Sequence, residues 1–355
     1  MTISVHQLVP TISPRDAVGN HTLFVRSLLR AAGYDSDIFS MFRHPELIGE
    51  TFYIDQLPAD ADALIYQFSI GSPIADRWAQ HRGRKFINYH NITPVEFIGK
   101  WDGLLEAEVE LGRDQMRRLA SICEHAICDS DFNKSELDSL GYNSTITIPV
   151  LFDVASATPD ASILKSINKK KSGLQILFVG RIAPNKAHHD LIAAVRTFRD
   201  VYKNDAHLHI VGTDGPPNYR KMVDAVVAHA DMADHVTFHG SVTQEQLVAF
   251  YQGTDIFLCV SDHEGFCVPV VEAMHHQLPV IAYNSTAVGE TIGQGGLLLN
   301  DKHPLTIAAA LNKLTKDDNL TGRLRRAGVK RAACFNRETT SNQFTKEFVD
   351  LLGSK

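Results

Sequence analysis

Residues 255–274 constrain this chain more than any other stretch. Ile256 to Val260 is an unbroken apolar run, the pattern of a strand buried on both faces of a parallel sheet. The polar turn Ser261-Asp262-His263-Glu264-Gly265 follows, and Gly265 is the residue expected to take a positive φ. A helix then begins, with Pro269 in its first turn, where a missing N–H does no harm. The amides of Gly265, Phe266, Cys267 and Val268 are placed to point out of that helix start. Unpaired donors and the helix dipole favour an anion there. Two carboxylates flank the amides, Glu264 on the turn and Glu272 about one turn into the helix.

A carboxylate beside an anion site repels the anion unless it faces something else. Hydroxyl groups satisfy it, and a sugar nucleotide carries hydroxyl-bearing rings on both sides of a diphosphate. Glu264 and Glu272, with the Gly-Phe and Pro between them, resemble the Glu-x7-Glu signature of the retaining GT-B glycosyltransferases, specifically glycosyltransferase family 4 (glycosyl transferases group 1). The resemblance implies that Glu264 holds hydroxyls of the transferred sugar and Glu272 the ribose of the nucleotide. Without it, the pair reads as a solvated loop acid and a helix N-terminal acid favoured by the dipole.

A second motif lies earlier. Leu174 to Val179 is an apolar strand closed by Gly180, followed by Arg181 and Lys186 on a strand-to-helix loop. Arginine offers a planar fork and lysine a point charge, a combination suited to a diphosphate. The family pattern is Gly-Arg, a few residues, then Lys-Gly. Gly180, Arg181 and Lys186 match it, and Ala187 stands where the Gly is usual, which bears on the backbone path after Lys186. Gln277 likewise stands where the family ends its helix with Gly, at an expected cost of about 1 kcal/mol. Strands are expected at 207–211, 236–239, 280–283 and 295–299. The turn at Val242 is placed against the base by the resemblance.

The first half alternates strands and helices. Strands are expected at 3–8, 63–68, 85–89 and 125–128, and helices at 21–33, 101–120 and 132–140, the last capped by Ser130. This rhythm specifies a parallel sheet covered on both faces. No Gly-x-Gly-x-x-Gly stands at the first strand–helix turn, which argues against a nicotinamide dinucleotide. The loop with Asp16, Gly19 and Asn20 lies at the carboxyl edge of the sheet. The resemblance places Gly19 against the donor phosphates; a flexible surface turn is the alternative. It also places His90, at the end of a strand, near the donor sugar, where a neutral imidazole would donate a hydrogen bond. Arg113, Arg117 and Arg118 recur at helical spacing. They read as a solvated face, or as a contact to an anionic acceptor or lipid headgroups.

The fold expected is α/β: GT-B, two facing Rossmann-like domains with parallel sheets and an interdomain cleft. An acceptor domain spans 1–155 and a nucleotide-sugar donor domain 172–337. An irregular linker lies between them, and a last helix, 338–355, packs back on the first domain. The implied reaction moves a hexose, by family habit mannose, from GDP-mannose or a UDP-sugar to a saccharide or lipid-linked acceptor of surface polysaccharide, with retention by front-face displacement. Arg181, Lys186 and the amides after Gly265 would stabilise the departing diphosphate. No Asp-x-Asp motif is present, so no metal and no cofactor are required. Alternatives are a sugar-nucleotide epimerase, a phosphorylase with a pyridoxal lysine, and a non-catalytic nucleotide-sugar-binding module.

Bulk properties agree. A net charge of -6 argues against a nucleic-acid partner. The five cysteines lack zinc-ligand spacing, Cys123 and Cys259 sit in apolar context as inert core thiols, and a reducing cytosol fits them. The neighbouring pairs His188-His189 and His275-His276 point in different directions on a helix and are not expected to bind metal. No signal peptide and no apolar run of about 18 residues is seen. A cytoplasmic protein, with possible peripheral contact to the inner membrane face, is the expectation.

Overall fold

The computed structural model describes residues 2–14, 16–154, 156–169 and 173–353. Lys170 and Lys171 of the expected linker, and the last two residues of the 338–355 segment, lie outside the described residues. The chain divides into two compact units. One comprises Met1–Val95, Leu104–Asp153 and Phe335–Lys355, the other Glu96–Gly103 and Val154–Cys334.

The first unit is built on seven strands: β1 (Val5–Ile12), β2 (Ile38–Arg43), β3 (Phe52–Tyr53), β4 (Ala63–Phe68), β5 (Arg84–Tyr89), β6 (His125–Cys128) and β7 (Thr145–Thr147). Their order is β3-β2-β1-β4-β5-β6-β7, and every pairing is parallel. β1 is buried along all but one residue, as an inner strand covered on both faces must be. It runs four residues beyond the expected end at Leu8. β2, β3 and β7 carried no expectation. β3 is two residues long and β7 three, too short for any periodicity, so each depends on the strand it pairs with. The core packs Val5, Ile65, Phe86 and Ile127 from the sheet against Phe344, Phe348 and Leu352 from the end of the chain. Arg84 secures that segment by donating from Nη1 to the Leu352 carbonyl at 3.0 Å.

The second unit has six strands: β8 (Leu174–Val179), β9 (Ala206–Val211), β10 (Val236–Phe238), β11 (Ile256–Cys259), β12 (Val280–Tyr283) and β13 (Leu297–Leu299). Their order is β10-β9-β8-β11-β12-β13, again all parallel. Ile176, Leu208, Ile210, Leu258 and Ile281 form the sheet side of its core, faced by Leu191, Val195, Phe198 and Leu311 from the covering helices.

Two boundaries differ from expectation. The segment 152–173 is not an irregular linker, because Ala161–Lys169 is a helix. Its Leu164 and Ile167 lie so close to Gly253 that a Cβ added there would meet Ile167 Cδ1 at 2.9 Å. The segment Glu96–Gly103 groups with the second unit although it falls inside the 1–155 range. Trp101 stands edge-on to Tyr219 with ring centroids 5.2 Å apart, and Asn218 Nδ2 donates to its carbonyl at 3.2 Å.

In both sheets the strand order reverses direction beside the first strand, between β1 and β4 and between β8 and β11. In open parallel sheets the crevice at the carboxyl ends of such a strand pair is where ligands bind. The loops leaving β8 and β11 are the two that carry Arg181, Lys186 and Glu264.

Candidate donor site of the second unit

The loop after β8 continues alongside the loop after β9, with Ile182 bridging Asp214 in parallel. That approach requires glycine at 215, where a Cβ would sit 2.2 Å from the Ile182 carbonyl oxygen. Pro184–Lys186 form a single 3-10 turn, and Ala187 then takes φ 51°, ψ 47°. Ala187 therefore follows the left-handed path that glycine would take, and the helix His188–Tyr202 starts directly after it. Gln277 does the same at φ 60°, with Leu278 N donating to the Ala273 carbonyl at 2.9 Å to close the helix end.

Asn185 ties this loop to the one after β11. Its Nδ2 donates to the His263 carbonyl at 2.9 Å, and its own carbonyl accepts from Asp262 N at 2.8 Å. Thr286 supports the other side through bonds of 2.9 Å to the Glu264 amide and carbonyl. The result brings Lys186 Nζ to 2.6 Å from Glu264 Oε2, across 78 positions of sequence. Glu264 is buried and Lys186 partly so. Burial pulls the ammonium pKa down, but the Glu264 carboxylate outweighs this and holds Lys186 above the ordinary lysine value. Arg181 is exposed at the start of the same loop.

The helix after this turn spans Val268–His275, with Pro269 in its first turn as expected. Gly265 is not the left-handed residue of the turn. That residue is Cys267, at φ 79°, ψ 65°, which caps the helix without a side-chain hydrogen bond. The first-turn amides are thus left uncapped by Cys267, in keeping with an anion site. Glu272 is buried within the helix and accepts from the Tyr251 hydroxyl at 2.8 Å. Burial raises its pKa to about 7, against the opposing pull of that hydrogen bond. Val242 lies half-buried in the loop before the helix Gln244–Gly253, next to the capping residue Thr243.

Cys259 and Cys267 were not expected to meet. Their sulfurs lie 4.0 Å apart, and with a Glu264 carboxylate oxygen they form a group whose ligand atoms are all within 4.8 Å of one another. Asn185, Tyr251 and Thr286 also escaped the sequence reading. Each acts by contact with a residue distant in sequence, and no local pattern marks it.

The first unit holds the other expected residues. Gly19 is in the first turn of the helix Ala17–Ala31, four residues earlier than the expected helix start, and its amide donates to Asp16 Oδ2 at 2.9 Å. A Cβ there would lie 2.4 Å from the Ser13 carbonyl oxygen, so the loop requires glycine for close approach. Asn20 lies in the same turn, its amide donating to the carbonyl of the capping residue Asp16 at 2.9 Å. His90 sits at the end of β5, but its ring faces inward. Nδ1 is 2.8 Å from Asp129 Oδ2 and Nε2 is 2.7 Å from Gln67 Oε1, with the side chain 2% exposed. Both nitrogens face acceptor oxygens within the unit, so neither is left for a sugar in this geometry. Of the three arginines at helical spacing, Arg113 pairs with Glu136 and the Ile92 carbonyl, Arg118 pairs with Asp114, and Arg117 is exposed.

Residues 160–331 match the family model described as glycosyl transferases group 1. A D-inositol 3-phosphate glycosyltransferase of Streptomyces avermitilis is 28% identical over 173 residues, 47% of this chain and 37% of that protein. The O-antigen chain mannosyltransferase B of Escherichia coli is 26% identical over 225 residues, 60% of this chain and 57% of its own length. The chain thus spans less than two thirds of these relatives. Among solved structures, Anabaena HepE in complex with UDP-glucose superposes with a TM-score of 0.77 at 16% identity, covering 99% of this chain and all of the other. The matched segment begins before β8 and runs past β13, so it contains both loops that bring Lys186 to Glu264. Residues 160–331 are thus similar to the glycosyl transferases group 1 family, and the chain has the two-sheet α/β fold of the GT-B glycosyltransferases.

Proposed function

We propose that the second unit binds a nucleoside-diphosphate sugar and that the protein is a retaining hexosyltransferase. The observation that carries this reading is the convergence of Lys186 and Glu264 at the carboxyl ends of β8 and β11, beside an uncapped helix start. The diphosphate is taken by Lys186, Arg181 and the amides of the helix beginning at Val268. Glu264 accepts hydroxyls of the transferred sugar, and Glu272 accepts those of the ribose. As the glycosidic bond breaks, charge grows on the β-phosphate. Fixed donors already aimed at that oxygen lower the barrier without reorganisation. The scheme requires no metal ion and no enzyme nucleophile. The acceptor hydroxyl attacks from the face the diphosphate leaves, and the departing phosphate oxygen takes its proton.

The Lys186–Glu264 pair gives the unliganded site a stable state. Each charge neutralises the other until a ligand offers the ammonium a phosphate and the carboxylate a hydroxyl. The donor sugar is proposed to be a hexose, mannose from its guanosine diphosphate or glucose from its uridine diphosphate. The similarity to a mannosyltransferase and to a protein solved with UDP-glucose supports these two. The acceptor class proposed is a surface glycan or lipid-linked saccharide. No helix among the described residues is long and apolar enough to cross a membrane. Contact with such an acceptor at the membrane is proposed to be peripheral, through the exposed Arg117 and the exposed Leu104 and Leu111 on the same helix.

A thermal-shift panel of uridine and guanosine diphosphate sugars tests the reading. One sugar nucleotide is expected to raise the melting temperature and to do so far less in Lys186→Ala. Hydrolysis of that donor without acceptor, detected as released nucleoside diphosphate, separates an enzyme from a binding module. No shift with any sugar nucleotide refutes the proposal.

A further inference from the structure

We propose that Cys259, Cys267 and Glu264 form a binding site for a soft divalent cation of the zinc class, whose occupation competes with the donor contacts of Glu264. The site itself stands on geometry alone, and only the competition rests on the function proposed above. The two sulfurs are 4.0 Å apart. Two thiolates on one tetrahedral zinc, each at about 2.3 Å, lie about 3.8 Å from each other. A disulfide would require a separation of about 2.0 Å. The thiols are therefore spaced for a shared metal and need little movement to take one.

The Glu264 carboxylate closes the third side, all three ligand atoms lying within 4.8 Å. One of its oxygens is held by Lys186, and a carboxylate has a second to offer. The Ser261 hydroxyl, 3.5 Å from Cys259 Sγ, or a water supplies the fourth position. Cys267 is held in the left-handed region, which a residue with a Cβ adopts only at a cost of order 1–3 kcal/mol. That backbone turn is what aims its sulfur at Cys259.

Charge also balances. A divalent ion with two thiolates and one carboxylate has a net charge of -1, which the Lys186 ammonium neutralises. Binding releases two thiol protons to solvent and involves no oxidation.

The test is a titration of the full chain, kept reduced, with Co2+ as a spectroscopic probe for zinc. A thiolate-to-cobalt charge-transfer band with the visible bands of tetrahedral cobalt is expected at one equivalent, and Zn2+ should displace it. Cys259→Ala and Cys267→Gly should each weaken cobalt binding at least tenfold. The second substitution relieves the left-handed strain, so a failure to fold is not at issue there. Zn2+ should inhibit turnover of the unmodified chain, and Cys259→Ala, which lies outside the donor contacts, should keep its turnover and lose that inhibition. Absence of the band, or its persistence in both variants, overturns the metal site. A band that forms equally well with saturating sugar nucleotide leaves the site standing and overturns the competition, and with it the placement of the donor at Glu264.

Discussion

Glu272 is a carboxylic acid buried inside a helix, and its proton is predicted to govern the stability of the second unit. Its ordinary pKa of 4.5 rises to about 7 in the folded chain because burial disfavours the charged form. Between those two values the folded state keeps a proton that the unfolded chain has released. Stability must therefore fall as pH rises, by up to about 1.4 kcal/mol per pH unit. The contribution is fully present below 4.5 and is lost as pH passes through about 7, a total of about 3 kcal/mol. His21 and His188 act in the opposite sense. Burial lowers both to about 3, so they destabilise the fold as pH falls below 6.5. A raw stability profile mixes these effects, whereas the difference between the natural chain and Glu272→Gln isolates one. The amide still accepts from Tyr251 and cannot ionise. The two chains should be nearly equal near pH 4.5, and the variant should be more stable by about 3 kcal/mol at pH 8. Urea unfolding followed by Trp101 fluorescence measures this, because Trp101 lies in the second unit. Trp78, the other tryptophan, is replaced by phenylalanine in both chains so that one transition is read. A difference that does not change with pH refutes the argument.

Three further outcomes follow from the geometry. Lys186→Ala and Glu264→Gln should each lower turnover per folded enzyme by roughly 10²-fold or more, as loss of a transition-state donor or its partner does; near-normal rates with a verified donor reject both roles. Ala187→Gly should raise unfolding free energy by about 1 kcal/mol, because glycine adopts φ 51° without strain; a loss of stability in denaturant titration contradicts this. Gly19→Ala should destabilise the first unit by roughly 1–3 kcal/mol, since its Cβ would lie 2.4 Å from the Ser13 carbonyl oxygen; an unchanged unfolding midpoint shows that the loop can yield.

Strand–turn–helix units were legible at several short apolar runs, as at Ala63–Phe68, His125–Cys128 and Val280–Tyr283, although Ile38–Arg43 carries four apolar residues and was not expected. The short edge strands Phe52–Tyr53 and Thr145–Thr147 were not legible, since their existence depends on a neighbour. The helix Ala161–Lys169 was hidden by its polar surroundings, although Leu164 and Ile167 carry helical spacing. For the site, residue types and their loops were legible, because arginine, lysine and glutamate at strand ends announce an anion with hydroxyls. Partner choice was not. His90 read as a donor to a sugar, yet Asp129 and Gln67 claim both of its nitrogens.

The sequence by itself determined the local conformations: which segments form buried strands, where helices begin, and which loops bear charge. Those depend on interactions within a few residues. Tertiary structure decided that Lys186 meets Glu264, that Cys259 faces Cys267, and that Ala187 and Gln277 accept left-handed backbones. Such pairings arise when parallel strands far apart in the chain come to lie side by side. The order β8-β11 is set by the whole core and by no single segment of it.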